Sequence, residues 1–216
     1  MIQLHGIALS NYYNKVKFAL LEYGIAFEEV HTGLPIEDEA TLVCSPAGKI
    51  PFIHTEQGTL CESEVIIEYL AQRFPEKGIF PADAFQAAKL RELITFVELH
   101  LELPARDLYK QAFFGGTVTD ETKARVETLL VKHIKGFKQL AKFAPYLAGD
   151  TFTIADIVGY TILPAVGMAT QAVLGRDLLL EGGVDWKSYI KPIAERPAVR
   201  RVMDDRKAYV AAMQGS

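Results

Sequence analysis

The sequence predicts an α/β unit followed by an all-helical one. Strand-like alternation and a hairpin signal occur only ahead of Pro75. Beyond Phe80-Pro81 they give way to long stretches with apolar residues at helical spacing, interrupted at Pro104, Gly115-Gly116, Pro145, Gly149, Gly182-Gly183 and Pro197. Between the two textures lies a polar seam, Glu76 to Asp83, which holds Gly78 and Pro81. Residues 1–77 are therefore expected to form the first domain, 78–86 a linker and 87–216 the helical domain.

The elements of the first domain follow from local pattern. Ile2 and Leu4 alternate ahead of Gly6, which predicts a strand; Val16, Ala19, Leu20 and Tyr23 then recur on one helical face until Gly24 stops the helix. Phe27 to His31 is a second strand, and the polar stretch with Pro35 and Pro46 is irregular or weakly helical. Pro51 to Thr55 and Thr59 to Glu62, separated by Glu56, Gln57 and Gly58, form a hairpin. Ile66, Tyr69, Leu70 and Phe74 share one face of a helix that Pro75 ends. In the second half, Thr153 and Asp156 have the spacing of a capping box at the start of a helix, with Phe152 placed to staple onto Ile157.

Composition excludes several classes. With 50% hydrophobic and 23% charged residues the chain can bury a core and is not disordered. Lys plus Arg number 23 against 27 Asp plus Glu, a net charge of −4, so no basic surface for nucleic acid is expected. The apolar stretch Ile157 to Ala169 holds Pro164 and falls short of the roughly 20 residues that span a bilayer, so it reads as a buried helix and no membrane partner is expected. No apolar run of signal-peptide length precedes Lys15, which points to the cytoplasm. Cys44 and Cys61 read as reduced core thiols, and His100 and His133 have no partner at metal-ligand spacing, so no metal is expected.

The most informative stretch is Ser45-Pro46-Ala47-Gly48-Lys49-Ile50-Pro51-Phe52-Ile53, followed after the hairpin by Glu62-Ser63. A proline that opens a strand can leave the backbone of the preceding residue unpaired, ready to hydrogen-bond an extended peptide; the Ile50-Pro51 bond is a candidate cis peptide. Glu62 and Ser63 stand where strand gives way to helix. Ser63 can act as N-cap, the helix N-terminus favours an anion, and a buried Glu62 can meet an ammonium. The pair reads either as a receptor for the zwitterionic end of an amino acid or as a plain capped helix.

Together with Ser10 ahead of Lys15-Val16-Lys17-Phe18-Ala19-Leu20, and with Gly149-Asp150-Thr151-Phe152-Thr153-Ile154-Ala155-Asp156 in the other half, these motifs resemble the cytosolic glutathione S-transferases, serine-type members in particular. The matches run in order along essentially the whole chain. The resemblance implies a thioredoxin-like first domain, cis-Pro51 facing glutathione, an all-helical second domain and a homodimer. It implies that Glu62 and Ser63 hold the γ-glutamyl end of glutathione, that Ile50 pairs with the cysteinyl backbone and that Lys49 lies near the glycyl carboxylate, unless Lys49 is merely solvated. Ser10 stands where the serine-type members stabilise the glutathione thiolate, a role compatible with capping the first helix.

The loop departs from the family's Ser-Pro-x-Ser pattern by reading Ser10-Asn11-Tyr12-Tyr13-Asn14. Tyr12 or Tyr13 could lend a phenol to the thiolate, and Asn11 or Asn14 an amide, or the tyrosines could wall the second-substrate pocket, where we place them. Tyr109, Phe113 and Phe114 are either further walls of that pocket or ordinary core. The expected activity is conjugation of glutathione, as co-substrate, to an apolar electrophile in detoxification. Peroxide reduction, isomerisation or dehalogenation on the same site, or a noncatalytic glutathione-binding module, are the alternatives. The absence of cysteine from the loop speaks against disulfide exchange.

Overall fold

The computed structural model describes residues 1–214, and its chain divides into two compact units. One holds Met1–Ile79 together with the segment from Ala194 onward, and the other holds Phe80–Ile193.

The first unit is built on a four-stranded sheet of order β2-β1-β3-β4. Strand β1 (Ile2–Gly6) pairs parallel with β2 (Phe27–His31) and antiparallel with β3 (Phe52–Thr55), which pairs antiparallel with β4 (Gly58–Cys61). Alternation sets the faces: Ile2, Leu4 and Gly6 are buried, and Leu4 lies opposite buried Ile53. Helices α1 (Asn11–Glu22) and α3 (Ser63–Arg73) supply Val16, Ala19, Leu20, Ile66, Ile67 and Leu70 to the core. The β3–β4 turn is tighter than expected. Thr55 pairs with Gly58, so only Glu56 and Gln57 are left in the loop and Gly58 opens β4. The irregular stretch contains a short helix, α2 (Glu39–Cys44), capped by Asp38, whose Oδ1 accepts from Thr41 N–H at 2.8 Å. Cys44 and Cys61 are free but half-buried, at the ends of α2 and β4, so neither is a core thiol.

In the second unit α4 (Ala84–Phe96) starts on Asp83, so residues 84–86 of the expected linker are already helix. The break expected at Pro104 is not an end. The chain passes through a π-helical segment, Val97–Glu102, into α5 (Leu103–Arg106), and Pro104, which has no N–H to give to the turn before it, falls directly after that segment. Then follow α6 (Tyr109–Phe113), α7 (Asp120–Leu140), α8 (Ile154–Leu174), α9 (Leu178–Glu181) and α10 (Trp186–Ala194). By length and composition α8 could cross a membrane, yet 56% of its most apolar window is buried inside the protein. The expected capping box is present: Thr153 and Asp156 satisfy each other's backbone. Asp156 does more than cap, since its Oδ1 also accepts from Leu147 N–H and Tyr189 O–H, each at 2.8 Å. The ring of Phe152 stands edge-on to Tyr146, 5.6 Å between centroids.

The last helix, α11 (Pro197–Gln214), groups with the first unit, whereas the sequence reading put all of 87–216 in the helical domain. The cause is electrostatic as well as apolar. Lys17 on α1 is 1% exposed, and its ammonium needs anions within reach: Glu29 lies at 2.5 Å and Asp205 on α11 at 2.7 Å. Arg196, just before α11, pairs with Glu22 at the end of α1.

Candidate active site

Register places three segments at one end of the sheet. His5 pairs with Phe52 and Phe52 with Cys61, so the loop leaving β1, the segment entering β3 and the residues leaving β4 all emerge there. These segments carry Ser10, Ile50-Pro51 and Glu62-Ser63.

Ser10 is the N-cap of α1. Its backbone N–H donates to Ile7 O at 3.1 Å, and its Oγ accepts from Tyr13 N–H at 3.3 Å. Capping uses a lone pair of the hydroxyl and leaves the O–H free to donate elsewhere. No acidic side chain of α1 itself stands in its first turn to offset the positive end of the helix.

Tyr13 is not in a pocket wall. It is 2% exposed, its ring fills the space that a Cβ on Gly6 would need, 2.5 Å away, and its hydroxyl donates to Glu29 at 2.6 Å. Burial, and then the bond to Glu29, push its phenol far above the usual 10.0. It cannot supply an acid to a thiolate. Spacing held the signal, because Tyr13 lies one turn before buried Val16 and Lys17. Tyr12 is half-buried, with the Lys15 ammonium 5.5 Å from its ring centroid. Asn14 also faces inward, 3% exposed, and spends its amide on Ala8 O at 2.8 Å.

The Ile50-Pro51 peptide is cis, as expected. Among the described residues neither the N–H nor the C=O of Ile50 has a hydrogen-bond partner. The preceding loop is fastened by a residue that sequence reasoning passed over: Ser45, 2% exposed, donates to Lys49 O at 2.7 Å and accepts from Lys49 N–H at 3.1 Å. The Lys49 side chain is exposed and unpaired among the described residues.

Two expectations about α3 need correction. Glu62, not Ser63, is the N-cap, because the first helical bond runs from Ile66 N–H to Glu62 O at 2.9 Å. Glu62 is also exposed rather than buried, and it sits at φ 67, ψ 110, a region that side-chain-bearing residues avoid. Holding a non-glycine residue there costs on the order of 1–3 kcal/mol. Its carboxylate makes no cap bond, and Ser63, 7% exposed, has no hydroxyl partner among the described residues. The opening N–H groups of α3 lack helical partners by construction. Buried Lys15 reaches Glu64 at 3.1 Å and so ties the start of α3 to α1.

The other predicted aromatics lie in the second unit. Tyr109 and Phe113 on α6 stand 5.1 Å apart edge to face; Phe113 is 42% and Phe114 68% exposed, so neither phenylalanine is core. His133 Nδ1 lies 2.8 Å from His100 O, a local contact between α7 and the π-helical segment. A cavity of about 200 Å³ bounded by Met1, Thr55, Gln57, Tyr69 and Arg73 lies at the other end of the sheet and includes none of the predicted residues.

Comparisons with known proteins point to one family. A family model for the glutathione S-transferase N-terminal domain matches residues 4–78. The chain is 39% identical to a glutathione S-transferase of Pseudomonas putida, with 98% of this chain and 96% of that protein covered. It is 28% identical to glutathione S-transferase 3 of Zea mays, over 94% and 93% of the two. It is similar to the solved apo structure of a glutathione S-transferase III, with TM-score 0.74, 26% identity, and 94% and 95% covered. Glutathione transferase F2 of Populus trichocarpa, TM-score 0.77 at 19% identity over 96% and 100%, shares the fold.

Proposed function

The chain belongs to the glutathione S-transferase family and is a glutathione transferase, and from that premise we propose that it binds glutathione at the Ser10 end of the sheet as a thiolate and adds it to an apolar electrophile. The carrying observation is the Ser10 hydroxyl, whose oxygen is fixed as an acceptor by Tyr13 N–H while its proton is free.

A free thiol has a pKa near 8.5, and lowering it to about 6.5 takes about 2.7 kcal/mol of preferential interaction with the anion. One hydrogen bond from Ser10 O–H to the sulfur and the positive end of α1 together supply energy of that order. The thiol proton leaves to solvent, the thiolate attacks the electrophilic carbon, and the displaced group or the adjacent centre takes up the charge. Holding both reactants in line lowers the barrier further.

The peptide is held by groups that have no other partner among the described residues. Glu62 meets the γ-glutamyl ammonium, Ser63 and the opening N–H groups of α3 meet its carboxylate, and Ile50 pairs with the cysteinyl backbone as a short added strand. Lys49 offers its ammonium to the glycyl carboxylate. For the electrophile we retain Tyr12 in the first unit and, as a separate candidate in the second, Phe113 with Tyr109 beside it. We read the protein as cytoplasmic and homodimeric, as its family usually is.

The test is an ultraviolet titration of bound glutathione against pH on the wild type and on Ser10→Ala. The expected result is a thiolate well below pH 8 that shifts upward in the variant. Glutathione bound with an unshifted thiol in the wild type would overturn the ionisation step, and an unshifted variant would remove Ser10 from it.

A further inference from the structure

Ser10 can serve a sulfur only if its loop holds still, and the residue that holds it is Asn14. Asn14 stands four positions after Ser10, the N-cap, and so lies one turn into α1. The Asn14 backbone N–H donates to Ser10 O at 2.9 Å in the first helical turn. Its side chain then turns back and donates from Nδ2 to Ala8 O at 2.8 Å, which closes the loop between β1 and the cap. Among the described residues Ala8 O has no other partner.

The cost of this arrangement marks it as selected for its donor. Asn14 is 3% exposed, and its Oδ1 is buried without any hydrogen-bond partner. A buried amide that satisfies only one end is unfavourable, and what it gives in return is the donor for Ala8 O. An aspartate of the same shape would fail in two ways. It has no proton for Ala8 O, and its charge would oppose an anion at the positive end of α1.

We propose that Asn14 is a positioning residue for the thiolate step, clamping the Ala8–Ser10 loop through Ala8 O so that the Ser10 hydroxyl is aimed at the sulfur of glutathione. The inference rests on the Ser10 reading above and adds to it a residue that never touches the substrate.

Asn14→Asp and Asn14→Ser are the variants, each compared with the wild type in the Ser10 and in the Ser10→Ala background. Asn14→Ser lacks the reach but adds no charge. The pKa of bound glutathione is expected to rise by about one unit in Asn14→Ser and by more in Asn14→Asp, with kcat/KM at pH 6.5 falling about tenfold and glutathione Kd within about twofold of the wild type. In the Ser10→Ala background Asn14→Ser should add nothing, because the clamp then has nothing to aim, and Asn14→Asp should keep only the part of its shift that its charge causes. An unchanged thiol pKa in both variants overturns the inference, as do equal losses from Asn14→Ser in the two backgrounds. If both variants fail to fold, it is also overturned, since Asn14 is then a requirement of the fold and not of the site. If Ser10→Ala alone leaves the thiol unshifted, it is the parent reading that fails.

Discussion

Glu62 is the residue at which local conformation and function pull apart most clearly. A glycine would adopt its φ of 67 without strain, yet a carboxylate stands there. Glu62→Gly is therefore expected to gain about 1 kcal/mol of stability in urea unfolding while weakening glutathione binding by about tenfold or more in calorimetry. A variant that loses stability, or binds as before, would show that the side chain is present for the fold. His5 makes a second residue-scale prediction. Burial, and then the charge of neighbouring His54, hold its imidazole below the usual 6.5, and their rings lie 4.5 Å apart. The unfolded chain thus binds the proton more readily than the folded one. The stability that His5 contributes is complete above pH 6.5 and is lost as pH falls from 6.5 through the lowered folded value. Thermal melting between pH 7 and 5 should fall less steeply in His5→Gln.

Among the elements, α8 owes its start to one carboxylate that serves four donors. Asp156 is pushed upward by burial, with hydrogen bonds from Leu147, Thr153 and Tyr189 opposing that shift. Asp156→Ala would leave those donors buried and unpaired, at a cost of about 3 kcal/mol or more, readable as a fall in thermal midpoint. The seating of α11 on α1 has its own acid limit. Burial raises the carboxyl of Asp205, but the bonds from Lys17 and Arg201 outweigh it and hold the group below the usual 3.8. Stability from this group is present above pH 3.8 and lost as pH falls through the lower folded value. Amide exchange in α11 should accelerate near pH 3 relative to the rest of the first unit, and Asp205→Asn should show that acceleration already at neutral pH.

At the scale of the whole molecule, light scattering should give about twice the 24.0 kDa of one chain, and a single-chain mass would remove the dimer expectation. The sequence disclosed this fold wherever pattern is local. Strands β1 and β2, the hairpin and the capping box all follow from spacing within a few residues, because backbone geometry repeats every two or 3.6 residues. The cis Ile50-Pro51 bond was legible in a strand-opening proline, whereas Ser10 was singled out only by the family resemblance. What spacing could not reveal depends on partners distant in the chain. Tyr13 looked like pocket lining until Glu29 claimed its hydroxyl, and α11 looked like part of the helical half until Lys17 claimed Asp205. The exposure of Glu62 and its place as cap turn on a single backbone angle, which no residue type announces.

That last pairing bears on how the protein is made. A ribosome delivers Lys17 and Glu22 before the whole second unit, and Arg196 and Asp205 only after it. Until then the nascent first unit carries an interior cation with Glu29 as its one other carboxylate among the described residues. The first unit is thus begun before the second and completed only after the second has been made.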